Sequence, residues 1–155
     1  MEEIKIIIHG NPKTKKNHSR VVKCGGRTLV IPSKQYKEFE SDFVADCLEQ
    51  KAFNLNIDFP VTVRCLYYMQ TRRKVDLTNL LSATDDALQA AKIVVDDSAD
   101  IIVSHDGSRV YYDKNNPRTE IYIEKYLGDD LFPRKEKKDV NKAGKRRSKK
   151  SGNYD

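Results

Sequence analysis

The sequence predicts an α/β (α+β) fold, with a small mixed β-sheet flanked by two main helices and followed by a disordered basic tail. Short β-branched runs alternate along the chain with two longer segments whose apolar residues recur every three or four positions, the spacing of an amphipathic helix. After Pro133 this periodicity stops, and Lys, Arg, Ser, Gly and Asn dominate. We therefore expect one folded domain over residues 1–133. Residues 134–155 bury too little apolar surface to offset the entropy lost on ordering, and we expect them to be disordered.

The first half of the chain predicts two strands and one helix. Residues 4–9 form a short run rich in β-branched residues that stops at Gly10, which indicates a buried strand. A basic loop should follow this strand. Apolar side chains at helical spacing predict a helix from Ser33 or Lys34 to about Lys51. Residues 61–69 are β-branched and aromatic and predict the second strand.

The second half predicts another helix and further strands. Leucine and alanine residues at helical spacing indicate a helix over about 77–91, with Asp76 placed as its N-cap. The apolar run that begins at 93 and ends at Asp96-Asp97 is expected to return as a strand. Residues 101–103 and 121–123 indicate two more strands around an irregular loop.

Charge is unevenly distributed along these 155 residues, which carry a formal net charge of +6. The tail has ten basic and three acidic side chains, so the first 133 residues are nearly neutral at −1. Within them, residues 13–37 hold eight basic and no acidic side chains, whereas residues 75–106 hold seven Asp and one Lys. This separation indicates a polyanionic partner held beside a group that requires carboxylates.

The same sequence argues against other classes of protein. It has no run of about 20 apolar residues and does not begin with the basic and then apolar order of a signal peptide, so we expect a soluble intracellular protein that does not bind membranes. Three widely spaced cysteines favour reduced thiols over a disulfide framework or a zinc ribbon. The three histidines, His9, His18 and His105, lack metal-ligand spacing.

The aspartates are the main candidates for chemistry. A helix over 77–91 would carry the chain about 22 Å from Asp76, and a returning strand would recover roughly 17–20 Å of that distance by Asp97. Because side chains alternate along a strand, only one of Asp96 and Asp97 should then face Asp76. Asp86 would lie about 15 Å along the helix, too far to share an ion with Asp76.

Convergent carboxylates are the hard oxygen ligands that Mg²⁺ requires, and such a site suits phosphodiester hydrolysis. Taken alone, Asp76 is more simply a helix cap, Asp96-Asp97 a turn at a strand end, and a lysine run a solvated surface. It is the combination of these features that favours a site. The basic residues expected to contact a nucleic-acid backbone are Lys13, Lys15, Lys16, Arg20, Arg72, Arg73 and Lys74.

The order of these features resembles the RusA family of Holliday junction resolvases. The resemblance rests on the early strand with its basic turn, residues 10–20, on the motif Asp76-Leu77-Thr78-Asn79-Leu80 after a basic triplet, on Asp86-Ala87-Leu88, and on Val95-Asp96-Asp97. It implies a homodimeric Mg²⁺-dependent endonuclease, with Mn²⁺ as a potential substitute, that nicks four-way DNA junctions symmetrically during recombination, repair or phage replication. It also implies a cytoplasmic location in a bacterial host, at the nucleoid.

Carried over residue by residue, the resemblance makes Asp76 and Asp97 the metal ligands, with Asp96 as an auxiliary acid and Asn79 as a further catalytic residue. This chain departs from the commoner D-x-D-N motif at Thr78, and Ser82 stands where a lysine is common. Asp85, Asp86 or Asp96 could compensate. Because of these departures, a non-catalytic DNA-binding protein on the same scaffold is the alternative, and a basic protein that binds through its tail alone is a third possibility.

Overall fold

The computed structural model describes residues 1–14 and 19–129, and their fold is the predicted mixed α+β arrangement. The predicted tail lies outside the described residues. The elements in chain order are β1 (Ile4–His9), β2 (Ser19–Cys24), β3 (Arg27–Pro32), α1 (Lys34–Glu49), β4 (Val61–Met69), α2 (Leu77–Ala90), β5 (Ile102–Ser104), β6 (Arg109–Tyr112) and β7 (Arg118–Lys125).

Five strands form the main sheet. Strand β7 lies between β1 and β4 and is antiparallel to both. On the other side of β4, β5 pairs with the beginning of the strand and β6 with its end, both in parallel. Strands β1, β4 and β6 therefore point the same way, and the loops that follow them meet at one edge of the sheet, which we call the loop edge.

The hydrophobic core lies on one face of this sheet. Alternate residues of β4, from Val61 to Met69, are buried, whereas the residues between them are partly exposed. The buried positions pair in register with Ile121 and Ile123 of β7, so they share a face. Helices α1 and α2 contribute residues such as Phe43 and Leu88 to the same core. Both helices therefore cover this one face.

Local sequence explains where each helix begins and ends. The Ser33 hydroxyl accepts a hydrogen bond from the Tyr36 amide (3.3 Å) and caps α1, and Asp76 caps α2. Just beyond the helices, Lys51 and Lys92 adopt left-handed backbone conformations, with φ of 57° and 54°. At both ends the following amide turns back to a helix carbonyl, Ala52 to Cys47 (2.8 Å) and Ile93 to Leu88 (2.9 Å). This closure satisfies carbonyl groups that the helix itself leaves unpaired.

Three sequence predictions differ from the structure. The described part of the basic loop after β1 includes a β-hairpin, β2 and β3, joined by Gly25 and Gly26. The irregular loop after β5 contains the short strand β6. The run from 93 to 97 forms no strand, and only Val94 makes an isolated bridge, with Ile57. The return path assumed in the distance estimate for Asp97 is therefore wrong.

Two negative predictions concern cysteines and membranes. Cys24, Cys47 and Cys65 are free thiols. Burial raises the pKa of Cys47 to about 12, and burial also raises the pKa of Cys65. Within the described ranges, no helix is both long enough and apolar enough to cross a bilayer.

Candidate functional site

The first turn of α2 holds Asp76 in a fixed orientation. Both the amide and the hydroxyl of Thr78 donate to Asp76 Oδ1, at 3.0 and 2.7 Å, and the Asn79 side-chain amide donates to Oδ2 at 3.3 Å. These bonds occupy both carboxylate oxygens and place a negative charge at the positive end of the helix dipole. Asp76 remains solvent-exposed in this arrangement.

An open depression of about 290 Å³ lies along the neighbouring face of α2. Positions 78, 81, 82 and 85 follow one another at helical spacing, so their side chains lie on one side of the helix. The loop after α2 contributes Asp97, and the loop after β5 contributes His105. The lining residues are Thr78, Leu81, Ser82, Asp85, Asp97 and His105.

Asp97 and Asp96 occupy different environments in the loop after α2. Asp97 lines the depression together with Thr78, whose hydroxyl binds Asp76. Asp96 does not line it, and its carboxylate accepts a hydrogen bond from the Asp97 amide (3.0 Å). Of the two acids, Asp97 is therefore the one that shares a surface with the first turn of α2.

A paired aspartate and histidine, Asp85 and His105, also line the depression. His105 Nε2 lies 2.9 Å from Asp85 Oδ2, and His105 Nδ1 lies 2.8 Å from the Val63 carbonyl oxygen. A carbonyl oxygen can only accept, so Nδ1 carries a proton. Asp85 Oδ1 is buried and has no hydrogen-bond partner among the described residues.

The electrostatics of this pair favour an ion pair. Burial lowers the pKa of His105, but hydrogen bonds to Asp85 and Cys65 and the Asp85 charge outweigh it and raise the pKa to about 10. Burial raises the pKa of Asp85, although its hydrogen bond to His105 opposes this. The raised pKa of His105 favours a proton on the imidazole ring, whereas the raised pKa of Asp85 favours a proton on the carboxyl group. We assign the shared proton to His105, because an imidazole is intrinsically more basic than a carboxylate and its protonated form donates from both nitrogens.

The loop edge carries part of the predicted basic surface. The Gln70 amide donates to the Asn11 side-chain oxygen (2.8 Å), which joins the loop after β1 to the loop after β4. Lys13 follows Asn11 by two residues and Arg72 follows Gln70 by two. The Arg72 guanidinium lies 4.4 Å from the centre of the Tyr112 ring. Arg73 and Lys74 are exposed in the same loop. Arg20 belongs to β2, and Lys15 and Lys16 lie outside the described residues.

The acidic side chains fit Mg²⁺ without forming a closed metal cage. In the part of the chain that the structure describes, no group of three or more His, Cys, Asp or Glu side chains is arranged to hold a metal. Mg²⁺ commonly uses one or two carboxylates, several waters and a substrate phosphate oxygen. Asp97, and Asp76 beside Thr78, supply hard oxygen donors of that kind on an open surface.

Sequence reasoning missed the pairing of His105 with Asp85. His105 had no ligand spacing, and Asp85 was only one of three acids considered as compensation. The two residues are 20 positions apart, and their contact depends on packing α2 against β4. The only local indication was a polar residue, Asp85, on a helix face next to the core residues Thr84 and Ala87.

A carboxylate-bearing depression beside a basic loop edge, on a small mixed α+β scaffold, defines a class of protein suited to chemistry on nucleic-acid phosphates. Residues 9–124 match the family model described as endodeoxyribonuclease RusA. Because this match covers more than half of the chain, the protein belongs to the RusA family, which supports a DNA endonuclease activity. A search of curated protein sequences found no match.

Proposed function

We propose that this protein is a Mg²⁺-dependent endonuclease that cuts branched DNA and resolves four-way junctions by paired nicks. Its family membership supports cleavage of DNA. The observation that supports the proposal further is the depression that Asp97 lines together with Thr78, the residue whose hydroxyl binds Asp76. Recombination, repair or phage replication would supply such junctions.

Asp76 and Asp97 would hold the metal in this proposal, with Asp96 as an auxiliary acid and Mn²⁺ as a potential substitute for Mg²⁺. The bound ion would polarise the scissile phosphoryl group and lower the pKa of the attacking water. Thr78 and Asn79 keep the Asp76 carboxylate in one orientation before any substrate arrives. A preoriented ligand loses less conformational entropy when the site is assembled.

The basic side chains would bind the DNA backbone around the cut. They are Lys13, Lys15, Lys16, Arg20, Arg72, Arg73 and Lys74. Contacts of this kind give affinity without reading sequence, so binding should weaken steeply as salt rises. Selectivity for a junction would then come from its shape. Paired nicks need two sites at a fixed spacing, and a homodimer would provide them.

The test uses a labelled synthetic four-way junction and a matched linear duplex, each with Mg²⁺ or with EDTA. We expect paired symmetric nicks in the junction only, and only with Mg²⁺. Asp76→Asn should lower the cleavage rate at least about a hundredfold, because even residues that merely orient ligands cost ten to a hundredfold. Asparagine is also a good N-cap, so α2 should keep its fold.

Asp42→Asn is the matched control, since Asp42 is an exposed carboxylate on α1. It should cleave at the normal rate, and both variants should bind the junction normally in Ca²⁺. Undiminished cleavage by Asp76→Asn would show that the metal site is wrongly assigned. Light scattering of the complex should count two protein copies for each junction.

The second candidate is a non-catalytic DNA-binding protein on the same scaffold. Thr78 favours this candidate. The commoner motif has a second acid at this position, whereas here a threonine hydroxyl donates a hydrogen bond to Asp76. Tight binding to the junction in Mg²⁺ without nicks would favour this candidate. Substituting Asp for Thr78 and Lys for Ser82 in one variant should then introduce cleavage.

A further inference from the structure

The hairpin of β2 and β3 forms a ribbon that is separate from the main sheet. Six residue pairs form its ladder, and only Gly25 and Gly26 connect the two strands. Their φ values are 56° and 76°, as a two-residue hairpin turn of the favoured hand requires. A Cβ atom added at either glycine would meet no other atom within 4 Å, so the tip of the ribbon stands clear of the body.

One face of the ribbon presents apolar surface to solvent. Val21 and Val30 are directly opposite each other in the ladder, and 66% and 68% of their surfaces are exposed. The next pair on that face, Lys23 and Thr28, is also exposed. A two-stranded ribbon alone is marginally stable in water, and nothing in the described body covers this valine pair. The ribbon therefore has the form of an arm that binds a partner.

The charge of the ribbon selects among partners. It carries the exposed basic residues Arg20, Lys23 and Arg27, and it contains no acidic side chain. Like charges would repel a second copy of the same ribbon, whereas a polyanion is attracted. The width of a two-stranded β-ribbon also fits the major groove of duplex DNA. Charge and shape together favour DNA over another protein.

We infer that the β2–β3 ribbon is a DNA-binding arm that enters a groove in a duplex arm of the substrate. This inference rests on the proposed function, which makes branched DNA the substrate. Val21 and Val30 contact sugars and base edges, and Lys23, on the same face, reaches a phosphate beside them. Arg20 and Arg27 lie on the opposite face of the ribbon and reach phosphates of the strand on the other side of the groove. Because the ribbon follows the loop after β1 in the sequence, its basic side chains add to those of the loop edge, and the arm holds duplex while the branch point is cut.

Cys24 allows a test on the unaltered protein. It is the exposed cysteine next to the turn, whereas Cys47 and Cys65 are buried. The rate at which N-ethylmaleimide modifies Cys24 is measured by mass spectrometry for the full chain in Ca²⁺, with and without a saturating four-way junction. We expect at least a tenfold slower reaction in the complex. An unchanged rate, with the complex confirmed by gel shift, overturns the inference.

Two double variants then distinguish an effect of the ribbon charges from an effect of positive charge elsewhere on the protein. Lys23→Gln with Arg27→Gln removes two ribbon charges, and Lys34→Gln with Lys37→Gln removes two charges from α1. Loss of two phosphate contacts should lower the slope of log affinity against log salt by about 1.8, or about 30-fold in affinity at 0.15 M salt. The α1 pair should change the slope much less. Equal effects from the two pairs overturn the assignment to the ribbon.

The remaining outcomes distinguish this inference from the proposed function. If a ribbon variant cleaves the junction normally and keeps its affinity and salt slope, the inference about the arm is rejected and the proposed function is kept. Protection of Cys24 that rises with protein concentration in the absence of DNA identifies a surface for self-association and also rejects it. Failure to bind any DNA rejects both. Binding with Cys24 protection but without cleavage keeps the arm and rejects the nuclease proposal.

Discussion

Replacing His105 with glutamine tests whether the pair with Asp85 is ionised. The wild-type pKa of His105 is raised from 6.5 to about 10. Since the folded-state pKa lies above the unfolded value, the stabilisation is complete below about pH 6.5 and is lost as the pH rises towards 10. A shift of this size corresponds to at most about 5 kcal/mol, at 1.36 kcal/mol per unit.

The expected cost of His105→Gln at pH 7 is smaller, about 3 kcal/mol. Some of the upper limit is lost because 23% of the His105 side chain is exposed and because glutamine keeps one donor. Breaking a buried ion pair typically costs about 3–5 kcal/mol, since the remaining charge is left unpaired. Asp85 would be that charge, and its Oδ1 already lacks a partner among the described residues.

The assay is urea unfolding of both proteins from pH 5.5 to 9.5. Subtracting the two free energies of unfolding cancels every shared titrating group that does not contact position 105, and leaves the contributions of His105 and of Asp85, whose pKa depends on it. The difference should be largest near pH 6 and should shrink by up to about 1.4 kcal/mol per pH unit above it. His9→Gln is the control, because His9 also pairs with an aspartate but is 65% exposed, and it should cost less than about 1 kcal/mol. A difference that does not change with pH, or one below 1 kcal/mol, would refute the ion pair.

Three further outcomes test local features by urea unfolding or thermal melting. Asp76→Ala should lower the free energy of unfolding by about 1 kcal/mol through loss of the N-cap, a cost that Asp76→Asn should not show; equal losses would contradict the capping role. Lys92→Gly should raise it by about 0.5 kcal/mol, because glycine relieves the left-handed backbone at φ 54°; a loss would contradict this. Tyr67→Phe should cost about 1 kcal/mol, because it removes the buried bond from the tyrosine hydroxyl to Thr84 (2.7 Å); an unchanged melting temperature would argue against that bond.

The elements that could be predicted are those in which the pattern of apolar residues in the sequence matches the pattern of buried residues in the structure. Strand β4 alternates buried and partly exposed side chains, and α2 combines an N-cap with a regular apolar stripe, so pattern and structure agree. The β2–β3 hairpin was missed for the opposite reason. Its exposed valines leave no alternation between a buried and a solvent face, and the Gly25-Gly26 turn was the one local indication. Exposure removes the periodicity on which strand prediction depends.

Features that depend on tertiary packing were beyond the sequence. The run from Ile93 to Val95 has the composition of a strand. In the structure its β-pairing is a single isolated bridge between Val94 and Ile57, a residue that precedes β4 in the sequence, so the run does not form a strand. The contact between His105 and Asp85 likewise requires β4, β5 and α2 to be assembled first. By contrast, the Asp76 cap needs only the residues that follow it, and the structure agrees with that prediction.

The first turn of α2 suggests why this chain has threonine where the commoner motif has an acid. The Thr78 hydroxyl lies 2.7 Å from Asp76 Oδ1 and donates to it. A carboxylate at position 78 would bring a second negative charge to that place, and two adjacent carboxylates need a cation or a shared proton to coexist. Threonine lets the helix begin with a satisfied cap whether or not a metal is bound. In the proposed metal site, the same change leaves one carboxylate fewer, so Asp97 would supply more of the negative charge that faces Mg²⁺. If the proposed metal site is correct, the departure at Thr78 would favour stability of the free protein over metal affinity, and cleavage should depend strongly on Asp97, which lines the depression.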